Sequence, residues 1–279
     1  SRAWNSGHSF LFDSTLREVF SFLKNDIFQI EIKKITAKLE DILAFILFCD
    51  SISQSLRILI AKFKHSLSKT HYFEKDFDFD VDNFTDTADI LCQQISEKII
   101  IFAKVLLDRF RVVLDVFSRL SYVLDDYTYL LHEQSDPWLQ NLFSKIDEEI
   151  TSFPSYNKRI SLHVINSILS SFIELLASSI EDIIFRRLRF SQLGGLQLER
   201  EIRRFILHLS STFPEVAVRE KCARLLHISS VLSVESPVEV SEYWEGLVGA
   251  PKLSILEMKR ILHLRVDFKI EQVDSFILK

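Results

Sequence analysis

The sequence predicts an all-α fold, and three observations support this prediction. Glycine and proline are scarce, with five of each in 279 residues, whereas sandwiches and barrels need frequent turns. Apolar residues recur at steps of three and four, the period of an amphipathic helix. Phenylalanine occurs 24 times and can fill the wide spaces between long helices. Because 47% of the residues are apolar, wholesale disorder is excluded.

The helical period can be followed along most of the chain. It predicts one long helix, or two in line, over Glu31–Leu67, and another helix over Lys98–Tyr122. A wide apolar stripe over residues 165–184 predicts a third long helix. We therefore expect long helices with few interruptions.

Capping signals predict where several helices begin and end. Asp136-Pro137 combines an N-cap residue with a first-turn proline. Ser254–Glu257 has the spacing of a capping box. Gly194-Gly195 predicts the end of the long helix near Phe190. Phe213-Pro214 is the predicted boundary between two helical bundles, over residues 1–212 and 213–279.

The segment at about residues 70–89 departs from the helical pattern. It holds seven acidic residues against Lys75 alone. Asp76, Asp78 and Asp80 begin like a calcium loop, but the glycine and the bidentate glutamate of such a loop are missing. We predict a solvated acidic loop that binds no calcium.

The remaining composition predicts a soluble, cytosolic chain. The three cysteines are scattered, as expected for free thiols in a reducing compartment. The longest apolar run, Ile42–Cys49, has eight residues, whereas a membrane span needs about 20. The polar start of the sequence leads us to expect no signal peptide. Because the only methionine is Met258, we expect a piece of a longer protein.

The common catalytic motifs are incomplete. His132-Glu133 begins a zinc-protease motif, but Asp136 occupies the position of the second histidine. Asp125-Asp126 lacks the last acid of the magnesium motif of class I isoprenoid synthases. His208, His227 and His263 are expected in the core or at interfaces rather than as ligands. The sequence therefore predicts no catalytic residue, no cofactor and no metal site.

Arginines form the most prominent charged cluster. An anionic partner, such as a lipid head group or an acidic protein surface, would explain them. A solvated helix face with Glu199 and Glu201 interleaved is the alternative. Nucleic acid is not expected, since the isoelectric point is about 5.9. The clustered residues are Arg186, Arg187, Arg189, Arg200, Arg203 and Arg204.

Five short segments in a fixed order carry a family resemblance. Together they resemble the C-terminal part of the oligomeric Golgi complex subunit 4 family, over about Asp126–Lys279. The segments are Ser135–Trp138, Phe190–Gln197, Lys221–Leu225, Tyr243-Trp244 and Leu264–Phe268.

The resemblance implies an elongated helical rod of two consecutive bundles, as in helical-rod tethering complexes. It implies a non-enzymatic subunit that acts by protein–protein contact in retrograde intra-Golgi transport and so maintains the Golgi glycosylation enzymes. The implied partners are the other complex subunits and Golgi SNAREs with their regulators. The implied location is the cytoplasmic face of the Golgi membrane, with peripheral, indirect attachment. The alternative is an all-helical enzyme or lipid-binding domain with an unrecognised site.

The matched segments also suggest functional residues. Arg224 is predicted to form an ion pair with Glu257, because Glu257 is held in the first turn of its helix. A bulky apolar residue at position 224 would then cost on the order of 3–5 kcal/mol. The alternative is that Glu257 only caps its helix and Arg224 reaches solvent. Arg265 and Asp267 are expected to extend the interaction surface.

Overall fold

A computed structural model describes residues 39–69, 81–134, 137–151, 162–240 and 253–274. This part of the chain confirms the all-α prediction, since its regular elements are helices. The eleven helices described there are α1 (Leu39–Lys69), α2 (Val81–Asp108), α3 (Arg111–Ser118), α4 (Asp126–Gln134), α5 (Pro137–Thr151), α6 (Leu162–Arg187), α7 (Gln192–Thr212), α8 (Val218–Lys221), α9 (Ala223–Ser233), α10 (Ile255–Leu262) and α11 (Ile270–Asp274).

The chain divides into two compact units, Ser1–Lys98 and Ile99–Lys279. In the first unit, α1 and the first part of α2 bury apolar side chains that include Ile46, Cys49 and Ile95. The predicted boundary at Phe213-Pro214 is a helix end, but it lies inside the second unit. Independent folding of residues 213–279 and the elongated two-bundle rod stay predictions.

The second unit is built around α6 and α7. Helix α9 packs mainly on α7 and also contacts α6 and α10, while α3 packs on α5 and α6. Phe110 lies against Phe172 at 5.0 Å between ring centroids, and Trp138 lies 4.4 Å from Phe117. All four rings are almost fully buried, so phenylalanine fills this core as its abundance suggests.

Several boundary predictions are confirmed. Pro137 is the first residue of α5, although Asp136 lies outside the described residues. Ser254 and Glu257 form the predicted capping box: the Glu257 amide donates to Ser254 Oγ at 3.3 Å, and the Ser254 amide donates to Glu257 Oε2 at 2.8 Å.

Three predictions about helix ends were wrong. The predicted helix Lys98–Tyr122 breaks after Asp108, where buried Phe110 turns toward the core. The predicted acidic loop is too long, since α2 begins at Val81; acidic residues are favourable in the first turns of a helix. Residues 70–80 lie outside the described residues. The third error concerns the glycine pair: α6 ends at Arg187, close to the predicted Phe190, but the glycines lie in the first turn of α7 and do not end α6.

Candidate functional site: a clamp of three chain segments

Three chain segments that are distant in sequence meet between α6 and α7. Tyr122, Phe190 and Arg265 pair as isolated parallel β-bridges. The Ser191 amide donates to the Tyr122 carbonyl at 3.0 Å, and the Phe190 amide donates to the Leu264 carbonyl at 3.0 Å. This junction is called the clamp below, and its residues are Tyr122, Phe190, Ser191, Gly194, Gly195, Arg265 and Asp267.

The glycine pair allows the backbones in the clamp to touch. A Cβ on Gly194 would lie 1.7 Å from the carbonyl oxygen of Tyr122. A Cβ on Gly195 would lie 2.0 Å from the carbonyl oxygen of Leu232, near the end of α9. Any side chain at either position would therefore push a neighbouring backbone segment away. The glycines therefore allow neighbouring segments to pack closely against α7, and they do not break a helix.

Ser191 links the start of α7 to the segment after α3. As the N-cap residue, its Oγ accepts a hydrogen bond from the Gly194 amide at 3.2 Å. The same oxygen accepts from the Leu124 amide at 2.9 Å and donates to the Leu124 carbonyl at 2.9 Å. The Ser191 side chain thus makes hydrogen bonds both to the start of α7 and to the extended segment at Leu124.

Arg265 is the charged centre of the clamp. Its side chain is only 1% exposed. Nη1 donates to the carbonyls of Leu232 and Val234 at 2.8 and 2.7 Å, at the end of α9. Nε and Nη2 donate to the two carboxylate oxygens of Asp267 at 2.8 and 2.7 Å. The guanidinium also stacks on the Phe268 ring at 4.1 Å. The expectation that Arg265 extends an exposed surface was wrong, because its donors point inward.

Asp267 connects Arg265 to the start of α7. Its Oδ2 accepts a hydrogen bond from the Gln192 amide at 3.2 Å. Burial alone would raise the pKa of Asp267, but the hydrogen bonds and positive charge of Arg265 outweigh it, so the pKa lies below its usual 3.8. Arg265 therefore neutralises the C-terminal end of α9, and Asp267 neutralises the N-terminal end of α7.

A buried hydrogen-bond network extends the clamp along α7. The Tyr122 hydroxyl donates to Glu201 Oε2 at 2.5 Å, and Gln197 Nε2 donates to Glu201 Oε1 at 2.6 Å. Glu201 and Gln197 are almost fully buried. Sequence reasoning missed this network. The available signal was a glutamine and a glutamate one turn apart on the apolar side of a helix.

A second charged cluster lies on α6, α9 and α10, with Arg224 at the start of α9 rather than at the end that contacts the clamp. Arg224 Nη2 donates to Glu257 Oε1 at 2.7 Å, and Arg224 Nε donates to Glu181 Oε1 at 2.9 Å. The structure therefore brings the predicted pair together and adds Glu181, which sequence reasoning missed. These three residues are called the Arg224 triad below. Its side chains are 41%, 20% and 35% exposed for Arg224, Glu181 and Glu257, so the triad is half-buried.

We expect the triad to couple helices with moderate strength. Arg224→Ala should lower the free energy of unfolding by about 1–2 kcal/mol, less than for a buried pair, because solvent screens the half-exposed charges. Glu257→Ala should cost a similar amount, and the double variant should cost less than the sum by about 0.5 kcal/mol or more. Urea unfolding of the three variants measures this coupling. Fully additive losses would show that the contact contributes nothing to stability.

Glu257 should also make stability depend on pH. Hydrogen bonds from the Ser254 amide and hydroxyl, and then from Arg224, lower the pKa of Glu257 from 4.5 to about 2. Because the folded-state pKa is depressed, the stabilisation is complete above the unfolded value of 4.5 and is lost as the pH falls toward 2. The melting-temperature difference between the parent protein and Glu257→Gln should shrink over this range. A difference independent of pH would contradict the assignment.

The structure separates the predicted arginine cluster into different environments. Arg186 lies 3.6 Å from Asp182, and Arg203 lies 2.6 Å from Glu199, each one turn earlier on its helix. Arg200 Nη2 donates to Gln197 Oε1 at 2.5 Å and is half-buried. Arg187, Arg189 and Arg204 are exposed. The cluster is therefore not one continuous surface built for a single anion, and its role in binding stays a prediction.

The predicted histidine and cysteine environments can be placed as well. His208 stacks on the Phe143 ring at 4.0 Å, and His227 is buried. Burial raises the pKa of Cys222 to about 12 and is the main reason that the pKa of Cys49 is raised to about 11. In the described ranges, no group of three or more potential ligands from His, Cys, Asp and Glu is placed to hold a metal ion. No helix in the same ranges is long and apolar enough to cross a bilayer.

Known proteins match much of this chain. The family model described as Conserved oligomeric Golgi complex subunit 4, C-terminal, matches residues 50–260. Among curated relatives, Conserved oligomeric Golgi complex subunit 4 of Arabidopsis thaliana is 34% identical over 172 residues, which are 61% of this chain and 23% of the relative. The Homo sapiens protein of the same name is 28% identical over 160 residues, 56% of this chain and 20% of the relative.

The family match includes most of the clamp and the whole Arg224 triad, but not Arg265 and Asp267. Residues 50–260 contain Tyr122, the glycine pair, Arg224 and Glu257. The chain spans about a fifth of the length of the curated relatives it matches. Since the family model covers well over half of the chain, the chain belongs to the family of the C-terminal part of conserved oligomeric Golgi complex subunit 4.

Proposed function

We propose that this chain is part of a non-enzymatic subunit of a Golgi vesicle-tethering complex. The subunit acts through protein–protein contacts in retrograde intra-Golgi transport and thereby maintains the Golgi glycosylation enzymes. Its partners are the other subunits of the oligomeric Golgi complex, together with Golgi SNAREs and their regulators. It works on the cytoplasmic face of the Golgi membrane as a peripheral protein. The observation that carries this proposal is the family match over residues 50–260.

The chemistry of the described residues supports a scaffold role. Several buried or half-buried charges join separate segments of the chain. Arg265, through Asp267, joins the end of α9 to the start of α7, and Arg224 joins α6, α9 and α10. The mostly buried Glu149 of α5 accepts hydrogen bonds from Arg109 at 2.7 Å and contacts Lys145 at 2.9 Å. These groups fix the shape of a surface, as a docking subunit requires.

Affinity purification tests the partner assignment. A tagged full-length protein, expressed in cells that lack their own copy, should co-purify with the other subunits of the oligomeric Golgi complex. Quantitative mass spectrometry should find these subunits enriched over cells that express the tag alone. Recovery of the protein without any of them would contradict the proposed membership.

A further inference from the structure

A surface groove runs between α3 and the last turns of α6. Its volume is about 530 Å³. Apolar side chains of Val112, Leu114 and Ile183 contribute to its lining, and Arg111 and Arg187 bring positive charge to it. None of these residues belongs to the clamp or to the Arg224 triad. This region is called the α3–α6 groove below.

Among the apolar side chains that line this groove, Leu114 is buried, Ile183 is half-buried and Val112 is open to solvent. Val112 is 76% exposed, and Val116, one turn further along α3, is 44% exposed. Leu114, which also lines the groove, and Phe117 are the buried residues of the same short helix. Helix α3 therefore presents some apolar residues that the fold covers and others that it leaves exposed. Exposed valines one helical turn apart match the spacing that a docked helix would contact.

The charges at the groove favour a carboxylate as its polar partner. Arg111 lies 2.9 Å from Asp108, and Asp115 lies 2.5 Å from Arg119, so these charges are already balanced by exposed neighbours. In the described part of the chain, Arg187 makes no ion pair with a carboxylate. With the pair between Asp182 and Arg186 included, the groove and its surroundings hold four arginines and three aspartates, so one positive charge is in excess. The arginines are Arg111, Arg119, Arg186 and Arg187, and the aspartates are Asp108, Asp115 and Asp182.

We propose that an amphipathic helix of a partner protein docks in the α3–α6 groove. The apolar side chains of that helix contact Val112 and Ile183, and one of its carboxylates pairs with Arg187. Aspartates interleaved with the arginines would repel an anionic membrane, which favours a protein over a lipid surface. A groove of this size receives two or three side chains, so the contact is a small, transient one. This inference rests on the proposed function in one respect, that the subunit acts through protein contacts.

Site-specific photo-crosslinking in cells tests the proposal. The full-length protein carries p-benzoylphenylalanine at position 112, or at Val238 as a matched control that is 71% exposed. Only a preparation that co-purifies with the complex is used, so that failure of the proposed function is detected separately. Mass spectrometry then maps the crosslinked peptide. We expect position 112 to capture one defined segment with apolar residues at helical spacing and an acidic residue beside them.

Charge reversal makes the test specific. Arg187→Glu should lower the crosslink yield at position 112 about tenfold, as expected for loss of an interface anchor. Arg219→Glu, a change at another exposed arginine, should leave the yield unchanged. Replacing the acidic residue of the captured segment by arginine should restore the yield with Arg187→Glu. No defined protein segment, a crosslink to lipid or to a second copy of this chain, or an unchanged yield with Arg187→Glu would overturn the proposal.

Discussion

Arg265→Ala is expected to lower the free energy of unfolding by about 3–5 kcal/mol, the largest effect of any single charge removal in the described residues. The substitution leaves the carbonyls of Leu232 and Val234 without their donor and leaves the Asp267 carboxylate without its cation. The Asp267 side chain, which faces the start of α7, is only 39% exposed and can regain water only in part. Urea unfolding followed by circular dichroism measures the loss.

Two further variants separate charge from geometry. Arg265→Lys keeps the charge but cannot donate to two carbonyls and both carboxylate oxygens at once, so it should recover only part of the loss. Arg219→Ala removes an exposed arginine on α8 and should change stability by less than about 0.5 kcal/mol. Equal stability of Arg265→Ala and Arg219→Ala would show that the clamp does not hold the unit together.

Gly194→Ala is expected to be nearly as damaging, by about 3 kcal/mol. The added methyl group would lie 1.7 Å from a backbone oxygen of Tyr122, and backbone cannot move aside as a flexible side chain can. In an ordinary helix position the same change would stabilise by roughly 0.5–1 kcal/mol. The expected sign is therefore opposite to helix propensity, which makes the thermal melt a sharp test.

Leu207→Ala is a suitable control for the glycine variant. Leu207 lies in the same helix and is 65% exposed, so its replacement tests general sensitivity of α7. We expect little change in its melting temperature. A Gly194→Ala protein as stable as the parent would mean that the Tyr122 segment and α7 do not lie as close as described.

Local signals in the sequence predicted the local features of the fold. The capping box at Ser254–Glu257 and the proline at position 137 depend on neighbours within one turn, so the chain order already contains them. The ion pair of Arg224 with Glu257 could be suggested because both residues lie in the stretch that resembles the family, about Asp126–Lys279, and because Glu257 is held in the first turn of its helix. In each case the interacting residues were identifiable without knowing how the helices pack.

Features that depend on packing could not be predicted in the same way. Glycine is read in sequence as a helix end, but Gly194 is needed because another backbone touches it. Arginine is read as a surface residue, yet Arg265 is buried because the end of α9 and the Asp267 carboxylate supply its partners. Glu181 lies 43 residues from Arg224, and no local pattern connects them. The helix break after Asp108 has no glycine or proline to mark it.

The most direct test of the central claim joins the clamp to the proposed function at the Golgi. Cells that lack this subunit are complemented with the full-length parent protein, with Arg265→Ala or with Arg219→Ala, at matched transcript levels. Lectin staining of cell-surface glycans then reports how well the Golgi glycosylation enzymes are maintained. The account predicts full restoration by the parent and by Arg219→Ala, and loss of both subunit co-purification and staining with Arg265→Ala. Failure of the parent to restore staining, or full restoration by an Arg265→Ala protein that is unstable in isolation, would contradict it.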